Sequence, residues 1–139
     1  DHFKRINDQH GHPFGDRCLV AAAQAIAQEA RRPGDLAARY GGEEFVLLMP
    51  DTDLPGAMCV AEAVLKRIRE TVVGDAGETP VALSCSIGVS CHTPRHSDAA
   101  RDLVLEADKA LYEAKAQGRG RVHTLDAAGL VRAPALAEG

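Results

Sequence analysis

Leu36-Ala37-Ala38-Arg39-Tyr40-Gly41-Gly42-Glu43-Glu44-Phe45-Val46-Leu47-Leu48-Met49 sets two short strand-like runs on either side of a glycine pair, with Pro50 closing the second. This pattern predicts a β-hairpin, because adjacent glycines let a backbone reverse without steric cost. The bend also carries two carboxylates, Glu43 and Glu44, directly before an apolar strand. Carboxylate oxygens are hard ligands that suit Mg²⁺, which takes one or two of them together with phosphate oxygens. A solvated turn with surface glutamates would use the same residues.

Upstream, apolar residues recur at Leu19, Ala22/Ala23, Ile26 and Ala30, which is helical spacing. Asp16 suits the positive end of that helix and Arg31 and Arg32 its other end, while Pro33-Gly34 stops it. The opening Asp1 to Asp8 is polar and runs into a Gly/His/Pro-rich turn. Downstream, Asp51 to Asp53 offer caps for a helix with the stripe Ala57, Val60/Ala61, Val64 and Ile68. Gly74 to Pro80 reads as a loop, and Val81 to Cys91 alternates with period two, as a half-buried strand does. A further helix follows the turn at Thr93 to Ser97, lined by Leu103/Val104, Ala107, Leu111 and Ala114 and ended by Gly118. Arg121 to Leu125 fits one last short strand. The order predicts an α+β layer of helices against a sheet, one domain over residues 1–125, with a loose tail over 126–139.

The 139 residues, 45% apolar and 26% charged, suit a single soluble globular domain. Trp is absent and aromatics are scarce, so the core must come from Ala, Val, Leu and Ile. A net charge of −4 without any Lys/Arg block argues against nucleic acid as a partner, since that needs a basic face. A nucleotide remains compatible, because a few cations and a metal offset a triphosphate. Cys18, Cys59, Cys85 and Cys91 show no metal or redox spacing, and Cys85 and Cys91 fall in phase with buried strand positions. That usage favours a reducing, cytoplasmic setting for the domain. No apolar run approaches the roughly 20 residues that cross a bilayer. The chain begins at Asp1 rather than Met, so these residues do not decide on an upstream sensor or membrane tether.

Three other clusters carry possible chemistry. Asn7-Asp8, Gly11-His12 and Gly15-Asp16 supply side chains able to pair with a guanine edge, or ordinary turn and capping chemistry. His10 and His12 lack a third ligand for zinc. Lys115 and Arg119, four apart at a helix end, can clamp phosphates with Lys4, or simply complement the helix dipole. Arg32-Pro33-Gly34-Asp35 is a helix-ending turn whose Arg can also grip phosphate or guanine. There is no P-loop and no Gly-x-Gly-x-x-Gly fingerprint, so nucleotide chemistry here has to be metal-based.

Together the clusters resemble the GGDEF family. The matching segments are Asp1 to Asp8, Gly11-His12-Pro13-Phe14-Gly15-Asp16, Arg39 to Phe45, Ser86-Ile87-Gly88-Val89, and Ala107 to Lys115 with Gly118-Arg119, in order across about residues 1–122. The resemblance implies a nucleotidyl-cyclase-like fold related to the ferredoxin-like β-α-β-β-α-β plan, and a diguanylate cyclase that joins two GTP into cyclic di-GMP across a twofold homodimer. It implies that Asn7 and Asp16 read guanine, that Glu43 holds Mg²⁺ (or Mn²⁺) and helps remove the 3′-hydroxyl proton, and that Glu44 is its essential neighbour. Gly41 and Gly42 then make room for phosphates contacted by Lys4, Lys115 and Arg119, with Phe3 opening the phosphate-contacting segment. Arg32-x-x-Asp35 matches an inhibitory cyclic di-GMP site. Its usual second Arg, after an Ala-Glu pair, is absent, for Ala61-Glu62 is followed by Ala63.

Asp1 matches the second Asp of the family's Asp-x-Asp, so the first Asp, a metal ligand with the next carbonyl, and the central strand are expected upstream, as is the region joining the dimer. A polypeptide of these residues alone is expected to be unstable and to hold Mg²⁺ poorly. The competing readings are a non-catalytic regulatory GGDEF domain that binds GTP or cyclic di-GMP, and a purely structural dimerisation module. Intact Glu43, Glu44, Lys115 and Arg119 favour the enzyme.

Overall fold

The computed structural model describes residues 1–92, 100–125 and 131–132. They fall into two compact units, Asp1–Asp51 with Lys66–Ser84, and Thr52–Leu65 with Cys85–Gly139.

In the first unit, α1 (Phe3–His10) and α2 (His12–Ala27) meet at a corner turned by Gly11. The polar opening is thus itself a helix, and the next begins earlier than the expected Asp16. Pro13 in the first turn of α2 is the signal for that start, because a missing N–H costs nothing there. Stacking of His10 on Phe14, ring centroids 4.7 Å apart, closes the corner. The buried edge of α2 is Phe14, Cys18 and Ala25, whereas the expected stripe of Leu19, Ala23 and Ile26 is only half-buried.

Just past α2, Glu29 is 7% exposed. Arg67 answers it, donating from Nε and Nη2 to Oε1 at 3.0 and 2.8 Å and from Nη1 to Gln28 Oε1 at 2.6 Å. A buried carboxylate without such donors would cost several kcal/mol.

β1 (Leu36–Gly41) and β2 (Glu44–Leu48) form the expected antiparallel hairpin, with Leu36 opposite Leu48, Arg39 opposite Phe45, and an irregularity between Arg39 and Gly41. The Gly74–Pro80 loop joins β3 (Val72–Val73) to β4 (Val81–Ala82). Arg17 of α2 anchors it through Glu78 at 2.9 Å and Asp75 at 3.0 Å. The single strand expected over Val81 to Cys91 is broken after Leu83, whose N–H adds one more rung to the β3–β4 ladder at the Thr71 carbonyl; Ser84 Oγ then donates to Asp1 Oδ2.

The second unit is a β-α-β element. β5 (Ile87–Val89) and β6 (Val122–Leu125) run parallel, with Gly88 opposite His123, and α4 (Ala100–Ala116) connects them and packs on both. Ala110 and Ala114 are wholly buried, with Leu103, Ala107 and Leu111 beside them half-covered. α3 (Leu54–Arg69) is divided between the units, and its buried Ala57, Ala61, Val64, Leu65 and Ile68 keep the predicted spacing. Within 126–139, Val131–Arg132 forms β7 against β6, and the remainder of the expected tail lies outside the described residues, as does the 93–99 turn. No disulfide joins the four cysteines. Cys18 is buried and Cys59 exposed, while Cys85 and Cys91 are half-buried rather than fully so, with Cys91 Sγ 3.5 Å from the Thr52 carbonyl. Among the described residues no helix is long and apolar enough to cross a membrane.

His123 lies in this second core at 1% exposure, with neither ring nitrogen hydrogen-bonded among the described residues. Burial, helped by Arg121 and opposed by Glu113, pushes its pKa below the ordinary 6.5. The unfolded chain therefore binds the proton more readily, so the neutral form's stabilisation is complete above pH 6.5 and is lost as pH falls below it. Urea titrations from pH 8 down to about 5 are expected to show falling stability in wild type and a flatter profile in His123→Leu.

Candidate functional site

A cleft of about 390 Å³ opens within the first unit. The helical corner lines it with Phe3, Asn7 and Asp16, backed by His12 and Leu19. The hairpin supplies Arg39, Gly41, Gly42, Glu43 and Glu44. These elements bring together every expected GTP residue of the first unit except Lys4, which is exposed on α1 and is not part of the lining. Asp16 sits inside α2 rather than at its cap, exposed on the cleft side.

The bend explains the shape of the cleft. Gly42 has φ 50°, a left-handed conformation that side chains resist, and a β-carbon on Gly41 or Gly42 would meet nothing within 4 Å among the described residues. The space over the bend is open to a ligand. Arg39, quoted above only as part of a motif, donates from Nε to the Gly42 carbonyl at 2.7 Å and so pins the turn. Its place two residues before the glycine pair, on the strand that must reverse, was the available signal.

The charge balance decides what can enter. Asp16, Glu43 and Glu44 face one guanidinium, so the cleft is acidic, and a polyphosphate enters it only with cations that offset both partners. Among the described residues no group of three or more His, Cys, Asp or Glu is placed to hold a metal. Exposed Glu43 and Glu44 nonetheless suit Mg²⁺ or Mn²⁺, since such an ion completes its shell with phosphate oxygens and water. A second, mostly apolar groove of about 490 Å³ adjoins, lined by Leu19, Ala23 and Ile26 against Ala37, Ala38 and Phe45, and shares Asp16, Leu19 and Arg39 with the first.

Arg32 and Asp35 close a tight turn. The Arg32 N–H donates to Asp35 Oδ2 at 3.1 Å, the Asp35 N–H to the Arg32 carbonyl at 3.0 Å, and Arg32 Nη1 to the Asp51 carbonyl at 3.1 Å. Asp35 Oδ1 is buried without a hydrogen bond among the described residues.

In the second unit Lys115 sits in the last turn of α4, half-buried. Arg119 follows at φ 63°, its N–H on the Ala114 carbonyl at 3.0 Å and its side chain exposed. A left-handed arginine costs about 1 kcal/mol, where a glycine would cost nothing. Arg119→Gly is accordingly expected to stabilise the fold by about 0.5–1 kcal/mol, read as a higher urea midpoint.

The sequence pattern of the diguanylate cyclase GGDEF domain matches residues 1–121, and the chain belongs to that family. Diguanylate cyclase A of Treponema denticola is 43% identical over 122 residues, 88% of this chain and 32% of the relative. Among solved structures, the diguanylate cyclase SiaD of Pseudomonas aeruginosa, in complex with its activator SiaC, matches with a TM-score of 0.80 at 41% identity, covering 88% of this chain and 45% of that one. The active GGEEF domain of a Vibrio cholerae diguanylate cyclase matches at 0.74 and 32% identity, over 88% and 75%. Its named signature is the one this chain carries at Gly41 to Phe45. The chain spans about a third of the length of the curated relatives it matches. The expected α+β, nucleotidyl-cyclase-like fold is the fold of these neighbours.

Proposed function

We propose that the domain is a diguanylate cyclase that binds one GTP per protomer and works as a twofold dimer. The observation that carries this reading is one cleft shared by Asn7 and Asp16, which can pair with a guanine edge, and by Gly41-Gly42 and Glu43, which leave room and charge for phosphates. Asn7 and Asp16 select and orient the base, with Phe3 at the start of the phosphate-contacting segment. The open bend admits the triphosphate, and Lys4, Lys115 and Arg119 hold its oxygens. Glu43, with Glu44 beside it, draws the proton from the 3′-hydroxyl. That oxygen then attacks the α-phosphate of the GTP on the other protomer, forming a phosphodiester bond and expelling pyrophosphate. Two such transfers close cyclic di-GMP. Bound Mg²⁺ or Mn²⁺ supplies charge neutralisation on the phosphates and acidifies the attacking hydroxyl. Holding two nucleotides in register supplies much of the remaining rate.

Full-length protein incubated with GTP and Mg²⁺ is expected to give cyclic di-GMP by mass spectrometry, and Glu43→Ala to lower turnover by at least about a hundredfold. GTP binding without product would leave the regulatory reading in its place.

We further propose that product binds at Arg32 and Asp35 and restrains the enzyme. The turn is closed before any ligand arrives, and a pre-closed turn lowers the ordering cost of binding. Isothermal titration of cyclic di-GMP is expected to show affinity lost by about tenfold or more in Arg32→Ala. Unchanged affinity removes the claim.

A further inference from the structure

We propose that Gly15 is a positioning residue for base selection, setting the orientation of the Asn7 carboxamide; the inference rests on the base-reading role given to Asn7 above. Gly15 lies inside α2 and is buried. It does not have a positive φ, so the backbone gives no reason for glycine at a position where alanine favours a helix more. The reason is space. A β-carbon at residue 15 would overlap Asn7 Oδ1 and lie 2.9 Å from Asn7 Cγ and 3.3 Å from Phe3 Cε2. Both neighbours line the nucleotide cleft.

The nature of the collision matters. The atom in the way is the far end of a side chain, so the helix survives a methyl group by moving that side chain. Asn7 Oδ1 is buried and makes no hydrogen bond among the described residues. A carboxamide without a bond to fix that oxygen takes its orientation from the surface it leans on, and here that surface is the bare Cα of Gly15. Asp16, the partner in base reading, is the next residue of the same helix. One backbone segment thereby places both readers, one by carrying it and the other by leaving room for it.

Steady-state kinetics of the full-length protein on GTP and on ATP, whose base offers an amino donor where guanine offers its O6 acceptor to the Asn7 Nδ2 donor, test the inference together with a double-mutant cycle. Asn7→Ala and Gly15→Ala are each expected to raise KM for GTP roughly tenfold with much less effect on ATP, so that the GTP/ATP preference collapses. The double variant is expected to be no worse than Asn7→Ala alone. In the Asn7→Ala background the second substitution is expected to raise the melting temperature, since alanine then fills empty space in a helix. In the wild-type background it is expected to lower it. Collapse of the preference in Asn7→Ala but not in Gly15→Ala overturns the inference and leaves base reading standing. Additive losses in the double variant overturn it too, by giving Gly15 a role independent of Asn7. An unchanged preference in Asn7→Ala overturns the base-reading assignment and the inference with it.

Discussion

The cleft proposed to take the nucleotide depends on backbone left bare on both of its sides. On the hairpin side, Gly41 and Gly42 turn the chain with open space above them, and Arg39 holds the turn by donating from Nε to the Gly42 carbonyl. On the helical side, Gly15 lets the Asn7 carboxamide and the Phe3 ring lie against α2. Between these edges stand the carboxylates of Asp16, Glu43 and Glu44. Side chains on either edge would occupy the space proposed for base and phosphates, and the acidic charge already there makes cations part of any polyphosphate complex.

Much of this was legible in the sequence. The hairpin could be read because apolar runs flank a glycine pair, and the α3 face because Ala57, Ala61, Val64 and Ile68 keep helical spacing. That Asn7, Asp16 and Glu43 belong together could be read only from motif order, since periodicity says nothing about which helix faces which turn. The start of α2 was misplaced because Asp16 resembles a cap and the Gly/His/Pro composition resembles a turn, although Pro13 suits a first helical turn equally well. The Val81 to Cys91 strand failed for a different reason. Alternation specifies a face but not where a ladder stops, and after the Leu83–Thr71 rung Ser84 turns its hydroxyl to Asp1. Arg39 escaped notice because its role is a contact made across the bend by one backbone carbonyl.

Several residues are held at a local cost. Arg119 and Asp51 have left-handed backbones, and Asp51 offers its carbonyl to Arg32. Among the described residues His123 is buried without a hydrogen bond, and Asn7 and Asp35 each bury an oxygen without one. Residues held this way are drawn disproportionately from working sites. Arg119, Asn7 and Asp35 fall on the segments assigned here to phosphate, base and product, whereas His123 packs in the β5–α4–β6 core and bears on stability alone.

A crystal structure of the full-length protein with a non-hydrolysable GTP analogue and Mg²⁺ tests the central claim most directly. The guanine edge is expected against Asn7 and Asp16, the phosphates over Gly41-Gly42, and the ion on Glu43. A nucleotide seated in the neighbouring apolar groove, or a metal bound without Glu43, would contradict it.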